Sequence, residues 1–165
     1  MQIRRATADD WPRIYPFWAA TVDAGETYAY PEGLSSAEAA SLWMEQPPGL
    51  TVVAVDRIGD ADQVLGSAKM GPNRPGRGAH VATASFMVDP AARGRGVGRA
   101  LGEYVLQWAD REGYHGIQFN AVVATNTAAM RLWQSLGFKI IGTVPEAFEH
   151  RLFGRVGLNI LYRKI

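Results

Sequence analysis

The stretch Arg93-Gly94-Arg95-Gly96-Val97-Gly98-Arg99 lies between a predicted strand and a predicted helix. Upstream, Ala82-Thr83-Ala84-Ser85-Phe86-Met87-Val88 reads as a strand, which Asp89-Pro90 ends because proline cannot extend a β-ladder. Downstream, Val97, Leu101, Tyr104, Val105 and Trp108 recur at three- and four-residue spacing, one face of an amphipathic helix. Three glycines and three arginines thus gather where a helix begins. The first N–H groups of a helix lack intrahelical partners, and the macrodipole adds roughly half a positive charge there. Glycine lets backbone amides approach a ligand without an intervening Cβ, and arginine offers planar, multi-donor recognition of phosphate oxygens. Together these describe a pyrophosphate cradle.

Spacing narrows the kind of cradle. A dinucleotide fingerprint needs G-x-G-x-x-G, but Arg99 stands where the third glycine should follow Gly94 and Gly96. A Walker loop needs a lysine followed by serine or threonine, and the stretch has no lysine. Arginine-glycine runs also occur in RNA-binding tails, where they sit in repetitive, disordered sequence. What remains is the pattern Arg93-x-x-Gly96-x-Gly98.

A chain of 165 residues, 47% of them hydrophobic, reads as a single globular domain over residues 1–165. It is long enough to bury roughly 70% of its unfolded surface. Seventeen basic and 16 acidic residues leave a net charge of +1, so whole-molecule attraction to nucleic acid is not expected. The absence of cysteine removes disulfides, thiolate nucleophiles and cysteine-ligated zinc, and no metal site is expected. Met1-Gln2-Ile3-Arg4-Arg5 turns polar at once, without an apolar run suited to a signal peptide or membrane span. A cytoplasmic location without membrane contact is the expectation.

The remaining elements follow from periodicity and punctuation. Gln2 to Arg5 reads as a strand, and Thr7 with Asp10 as a capping box opening a helix. Trp11, Ile14, Tyr15, Trp18 and Val22 form that helix's apolar stripe, and Pro16 predicts a kink or break within it. A loop from Gly25 to Gly33 carries Glu26, Thr27, Tyr28 and Tyr30. Ser35 and Glu38 match a second capping box, whose helix should run to about Gln46 before Pro47-Pro48. Thr51 to Val55 and Val64 to Met70 read as strands joined through Gly59 and Asp60, with an exposed turn from Gly71 to Gly78. After the cradle helix come a strand from Ile117 to Val123, a helix from Asn126 to Leu136 that Gly137 caps, and strands Phe138 to Val144 and Val156 to Tyr162. The order is β-α-α-β-β-β-α-β-α-β-β.

Three segments in this order carry a resemblance. Arg93-x-x-Gly96-x-Gly98 is similar to the acyl-coenzyme A loop [RQ]-x-x-G-x-[GA] of the GNAT superfamily of N-acetyltransferases. Ala124-Thr125-Asn126-Thr127-Ala128-Ala129 resembles its "N-x-x-A" helix start, and Leu132-Trp133-Gln134-Ser135-Leu136-Gly137-Phe138 its "L-Y-x-x-L-G-F" helix end. The resemblance runs over nearly the whole chain. It implies an α/β (α+β) fold of four helices and a mixed, mostly antiparallel sheet of about seven strands, splayed between the fourth and fifth.

It also implies an acyltransferase that moves acetyl from acetyl-CoA to an amine by direct attack in a ternary complex. The cofactor set would be Phe86, Met87, Val88, Arg93, Gly94, Arg95, Gly96, Val97, Gly98, Arg99, Asn126 and Trp133. Within it, Arg95 and Arg99 are the expected phosphate contacts. Phe86, Met87 and Val88 would pair their backbone with the pantetheine arm, and the Val88 N–H would stabilise the oxyanion. Tyr28, Tyr30 and Thr83 would face the acceptor.

The proton-transfer groups depart from the family pattern. Its carboxylate on or near the fourth strand is missing from Ala82-Thr83-Ala84-Ser85; Glu26 is then the candidate base, His80 either serves instead or is simply solvated, and an acceptor of low amine pKa would lessen the need for a base. Its tyrosine is replaced by Trp133, whose indole N–H cannot be surrendered near neutral pH. Trp133 is then either a cofactor contact or a core or pocket-wall aromatic, and Tyr28 and Tyr30 either approach the thiolate or form pocket walls. Asn120 either ties two strands together where the sheet splays or turns its amide to the acceptor amine or thioester. The run Phe119-Asn120-Ala121 through Asn126, followed by tryptophan, also resembles fungal acetyltransferases acting on proline-like amines such as azetidine-2-carboxylate.

A small-molecule amine, such as an amino acid or analogue, is the leading acceptor. The alternatives are acetylation of a peptide or protein and a non-catalytic acyl-CoA-binding module. Its pocket would draw on the loop around Glu26 to Tyr30, the turn near Pro72 to Arg77 and the segment Pro145 to Arg155. Many relatives are dimers, so a homodimer is a further expectation of the resemblance.

Overall fold

Strands from every part of the chain pair into one seven-stranded sheet in the computed structural model, which describes residues 1–58 and 61–165. The expected turn through Gly59 and Asp60 lies outside the described residues. In chain order the elements are β1 (Gln2–Arg5), α1 (Trp11–Asp23), α2 (Ser36–Trp43), β2 (Leu50–Ile58), β3 (Ala61–Pro72), β4 (Val81–Val88), α3 (Val97–Arg111), β5 (Gly116–Val123), α4 (Thr127–Ser135), β6 (Lys139–His150) and β7 (Gly154–Lys164). The sheet order is β1-β2-β3-β4-β5-β7-β6. The element order and the sheet agree with the expectation.

Strand alternation distributes the core over both faces. On β2, Val52 and Ala54 join α3 and α4 residues such as Val97, Leu101 and Trp133, while Val53 and Val55 join Ile14, Trp18 and Trp43 of α1 and α2. All these residues are buried.

The one parallel pairing decides the site. β4 and β5 are in register only at Val81 with Gly116 and Ala82 with Ile117. On its other edge β4 stays paired with β3 as far as Val88, and β5 stays paired with β7. Beyond Ala82 the two strands therefore part and leave a wedge, as the splay between the fourth and fifth strands required.

Several boundaries differ from the sequence reading. α1 runs through Pro16 as a single helix; the bond Pro16 cannot donate would go to the Pro12 carbonyl near the helix start, and both prolines lie on the exposed face. α2 stops at Trp43 rather than near Gln46. The buried Thr51 hydroxyl donates to the Trp43 carbonyl at 2.8 Å and accepts the Glu45 N–H at 2.9 Å, so a side chain from β2 replaces the next helical bonds. β6 continues from Lys139 to His150, with register shifts between Val144 and Phe148. Most of the segment expected as a pocket loop, Pro145 to Arg155, is thus strand.

Candidate active site

The cradle forms at the mouth of the wedge. α3 begins at Val97, with Gly96 before it at φ 77° and Gly94 also at φ 77°, backbone conformations that disfavour any side chain. A Cβ added at either glycine would meet nothing within 4 Å, so the space above both is open to a ligand. The first N–H groups of this 15-residue helix, from Gly96 to Arg99, have no intrahelical acceptor. Val97 supplies its N–H only, since its side chain is buried in the core. These features fit a pyrophosphate.

The arginines divide. Arg93 lines the wedge. Arg95 instead pairs with Asp56 on β2, and the Arg99 guanidinium donates to Ser135 Oγ at 2.8 Å, 3.7 Å from the Glu103 carboxylate. Both side chains are about half exposed and are engaged by oxygen acceptors of the chain itself.

The wedge encloses about 550 Å³ between β4 and β5, floored by Phe86, Phe119, Val122 and Trp133. Trp133 is 6% exposed and packs 4.5 Å from the Phe86 ring and 4.9 Å from Phe119. It is a buried wall of the wedge. Asn126 also lines it, while its Oδ1 caps α4 by accepting the Ala129 N–H at 3.1 Å.

On β4, backbone direction selects which residues can pair with a ligand. The Asp89 N–H bonds the Leu65 carbonyl and the Val81 carbonyl accepts from Asn73, so odd-numbered positions face β3. Met87 therefore spends its backbone groups on Ser67, and its buried side chain packs under α1 and α2. Phe86 faces the wedge, but the Tyr28 hydroxyl accepts its N–H at 2.9 Å and donates to its carbonyl at 2.7 Å. Of the expected trio Phe86, Met87 and Val88, only Val88 offers unspent backbone groups to the wedge. Burial raises the Tyr28 phenol well above its ordinary value, so it stays protonated at neutral pH. Changing Tyr28 to Phe should cost about 1–3 kcal/mol by stranding both Phe86 groups. An unchanged denaturation midpoint would show that water replaces the hydroxyl.

Tyr28, Tyr30, Thr83 and Asn120 all line the wedge. The Asn120 amide donates to Asn73 Oδ1 at 2.6 Å and to Thr83 Oγ1 at 3.5 Å, while its Oδ1 accepts from Gln118 at 2.9 Å. Asn120 thus ties β5 to the end of β3 across the wedge, and it is also exposed there. Tyr28 and Tyr30 stack with ring centroids 5.6 Å apart and line the wedge beside Thr83. Glu26 is exposed on the bend after α1 and does not line it. The lining takes Thr21, then resumes at Thr27, the residue next to Glu26. His80 is exposed and packs edge-on to His115, also away from the wedge.

A second compartment of about 380 Å³ meets the wedge along Tyr30, Thr83, Ala84, Ser85 and Asn120. It adds Glu45 and Lys69, which the sequence reading missed. The available signal was Lys69 itself, a charge inside the apolar run Val64 to Met70. Among the described residues no His, Cys, Asp and Glu group could hold a metal ion, and no helix is long and apolar enough to cross a membrane.

The model of the acetyltransferase (GNAT) family matches residues 8–138. A GCN5-related N-acetyltransferase from Kribbella flavida is 60% identical, with a TM-score of 0.94 over 99% of this chain and 97% of that one. The yncA protein of Salmonella typhimurium, solved with its cofactor acetyl-CoA, is 25% identical with a TM-score of 0.80, over 99% of this chain and 93% of that one. The N-acetyltransferase aca1 of Schizosaccharomyces pombe is 36% identical over 110 residues, 67% of this chain; the match spans 50% of the yeast protein's length. Matching sequence, open glycine cradle and splayed sheet lead to one conclusion: the chain belongs to the acetyltransferase (GNAT) family.

Proposed function

We propose that the protein transfers acetyl from acetyl-CoA to the amine of a small molecule, both bound at once in the wedge. One observation carries this reading: the open cradle at Gly94 and Gly96 leads along Val88 into a wedge lined by Thr83 and by Asn120, whose amide donates to Asn73. The diphosphate would lie on the first N–H groups of α3 with Arg93 beside it. The Val88 N–H would face the thioester carbonyl and stabilise the oxyanion that forms when the neutral amine attacks; collapse of that adduct would break the C–S bond, and the proton released by the nitrogen would pass to the departing coenzyme A thiolate. Asn120, held by Gln118 and Asn73, would fix the amine's approach, and such orientation can supply several kcal/mol. Trp133 and Phe119 wall the reaction centre from water. The second compartment, about 380 Å³ beside Tyr30 and Pro48, has room for a small acceptor.

The test is thiol release from acetyl-CoA across a panel of small amines, with peptides as a second panel. Turnover confined to peptides, or cofactor binding without turnover on any amine, overturns the small-molecule reading. Separately, Arg93→Ala should weaken coenzyme A binding by about 1–3 kcal/mol, the loss of a charge-assisted hydrogen bond. Calorimetric titration checks it, and unchanged affinity would remove Arg93 from the cradle.

A further inference from the structure

We infer that the second compartment is a carboxylate-recognition subsite and that the acceptor is an amino acid whose carboxylate lies on the Lys69 ammonium. The inference rests on the acetyl-transfer reading above and names its substrate class. Lys69 sits on β3 opposite Ser85, on the face that carries Ser67 and is covered by α2. Its side chain is 20% exposed, and holding an ammonium there requires partners. Two are present: the Leu42 carbonyl at 2.7 Å and Glu45 Oε1 at 3.1 Å.

Capping the end of α2 would account for Lys69 alone. It does not account for where Lys69 and Glu45 stand. Both line the cavity that opens into the wedge along Thr83, Ser85 and Asn120. An ammonium has three donors, and these partners take two, leaving one for a ligand. The Tyr30 and Trp43 ring centroids lie 6.0 Å from Nζ, so aromatic faces flank the charge and limit water around it. Lys69 is the one cation among the residues lining this compartment. An acceptor with its amine beside Asn120 and its carboxylate at Lys69 would contact two polar side chains that line the compartment. Glu45 then competes with that carboxylate for the same ammonium, which sets the two side chains in opposition.

The opposition gives the test. Each of several amino acids is compared with the amine that lacks its carboxyl group, using thiol release from acetyl-CoA by wild type, Lys69→Met, Lys69→Arg and Glu45→Gln. The unmodified protein should prefer the amino acids. Lys69→Met, which keeps the apolar stem, should raise KM for them by about tenfold or more, the effect of losing a charged hydrogen bond, with kcat within about twofold. KM for the matched amines should stay within about twofold. Lys69→Arg should retain the preference, and Glu45→Gln should lower KM for the amino acids.

A merely structural lysine would change both substrate sets together and give Glu45→Gln no opposite effect. Acetylation without preference for the carboxylate, or equal losses on both sets, overturns the subsite and leaves the acetyl-transfer reading standing. No turnover on any amine overturns both. Calorimetry of N-acetyl amino acids with coenzyme A-loaded protein gives a second readout, and binding unaltered by Lys69→Met overturns the subsite even if a variant melts early.

Discussion

Replacing Asp10 with alanine should lower the stability of the protein by about 3 kcal/mol, near the cost of breaking a buried ion pair. Asp10 is 1% exposed and lies just before α1. Its two oxygens accept from the Arg4 guanidinium at 2.8 Å each, and Oδ2 also accepts the Thr7 N–H at 2.8 Å. Removing the carboxylate leaves Arg4 facing a cavity, with Asp62, 3.1 Å away, as its remaining anion among the described residues. The loss sits at the low end of the range because Arg4 is 30% exposed and water can reach it.

The effect should depend on pH with a definite sign. The bonds from Arg4 hold the Asp10 carboxyl below its ordinary value of 3.8. A depressed folded-state pKa means that the unfolded chain takes the proton more readily as pH falls. The stabilisation is therefore complete above the ordinary value and is lost as pH drops through the folded one. Wild type and Asp10→Ala should differ most near neutrality and begin to converge only below about pH 4, as the pH approaches the lowered folded-state value. Denaturation midpoints at several pH values measure it, and a pH-independent gap would assign the loss to packing.

Gly102→Val should produce a comparable stability loss, about 3 kcal/mol, together with weakened coenzyme A binding. Gly102 lies on α3 where α4 crosses it, and a Cβ there would stand 2.7 Å from Leu136 Cδ1 and 2.9 Å from Trp133 Cζ3. Overpacking of this kind costs about 1–3 kcal/mol, and valine adds two further methyl groups to the contact. The Trp133 indole must move, and it is wedged against Phe86 and Phe119, so its escape runs into the wedge. Melting curves and titration with coenzyme A read the two effects. A destabilised variant with unaltered cofactor affinity would show that Leu136 yields and Trp133 stays.

Legibility in the sequence followed the range of the interactions. Thr7 with Asp10 and Ser35 with Glu38 were readable because a helix start is set by residues three apart, and the Asp10 and Glu38 carboxylates do accept the Thr7 and Ser35 N–H groups. The glycine cradle was readable for the same reason, since positive φ at Gly94 and Gly96 is a local demand. The end of α2 was not, because Thr51 of β2 stops it.

The site divides along the same line. By itself the sequence determined the elements, their order and the cradle, all of which rest on short-range periodicity and backbone freedom. Tertiary structure decided which side chains reach the wedge. It turned Arg95 to Asp56 and Arg99 to Ser135, and left Glu26 outside. It set the Tyr28 hydroxyl on Phe86 and brought Lys69 to Glu45 at the edge of a second compartment. Each of those contacts joins residues that the chain places far apart, and only the pairing of the strands and the packing of helices on the sheet brings them within bonding distance.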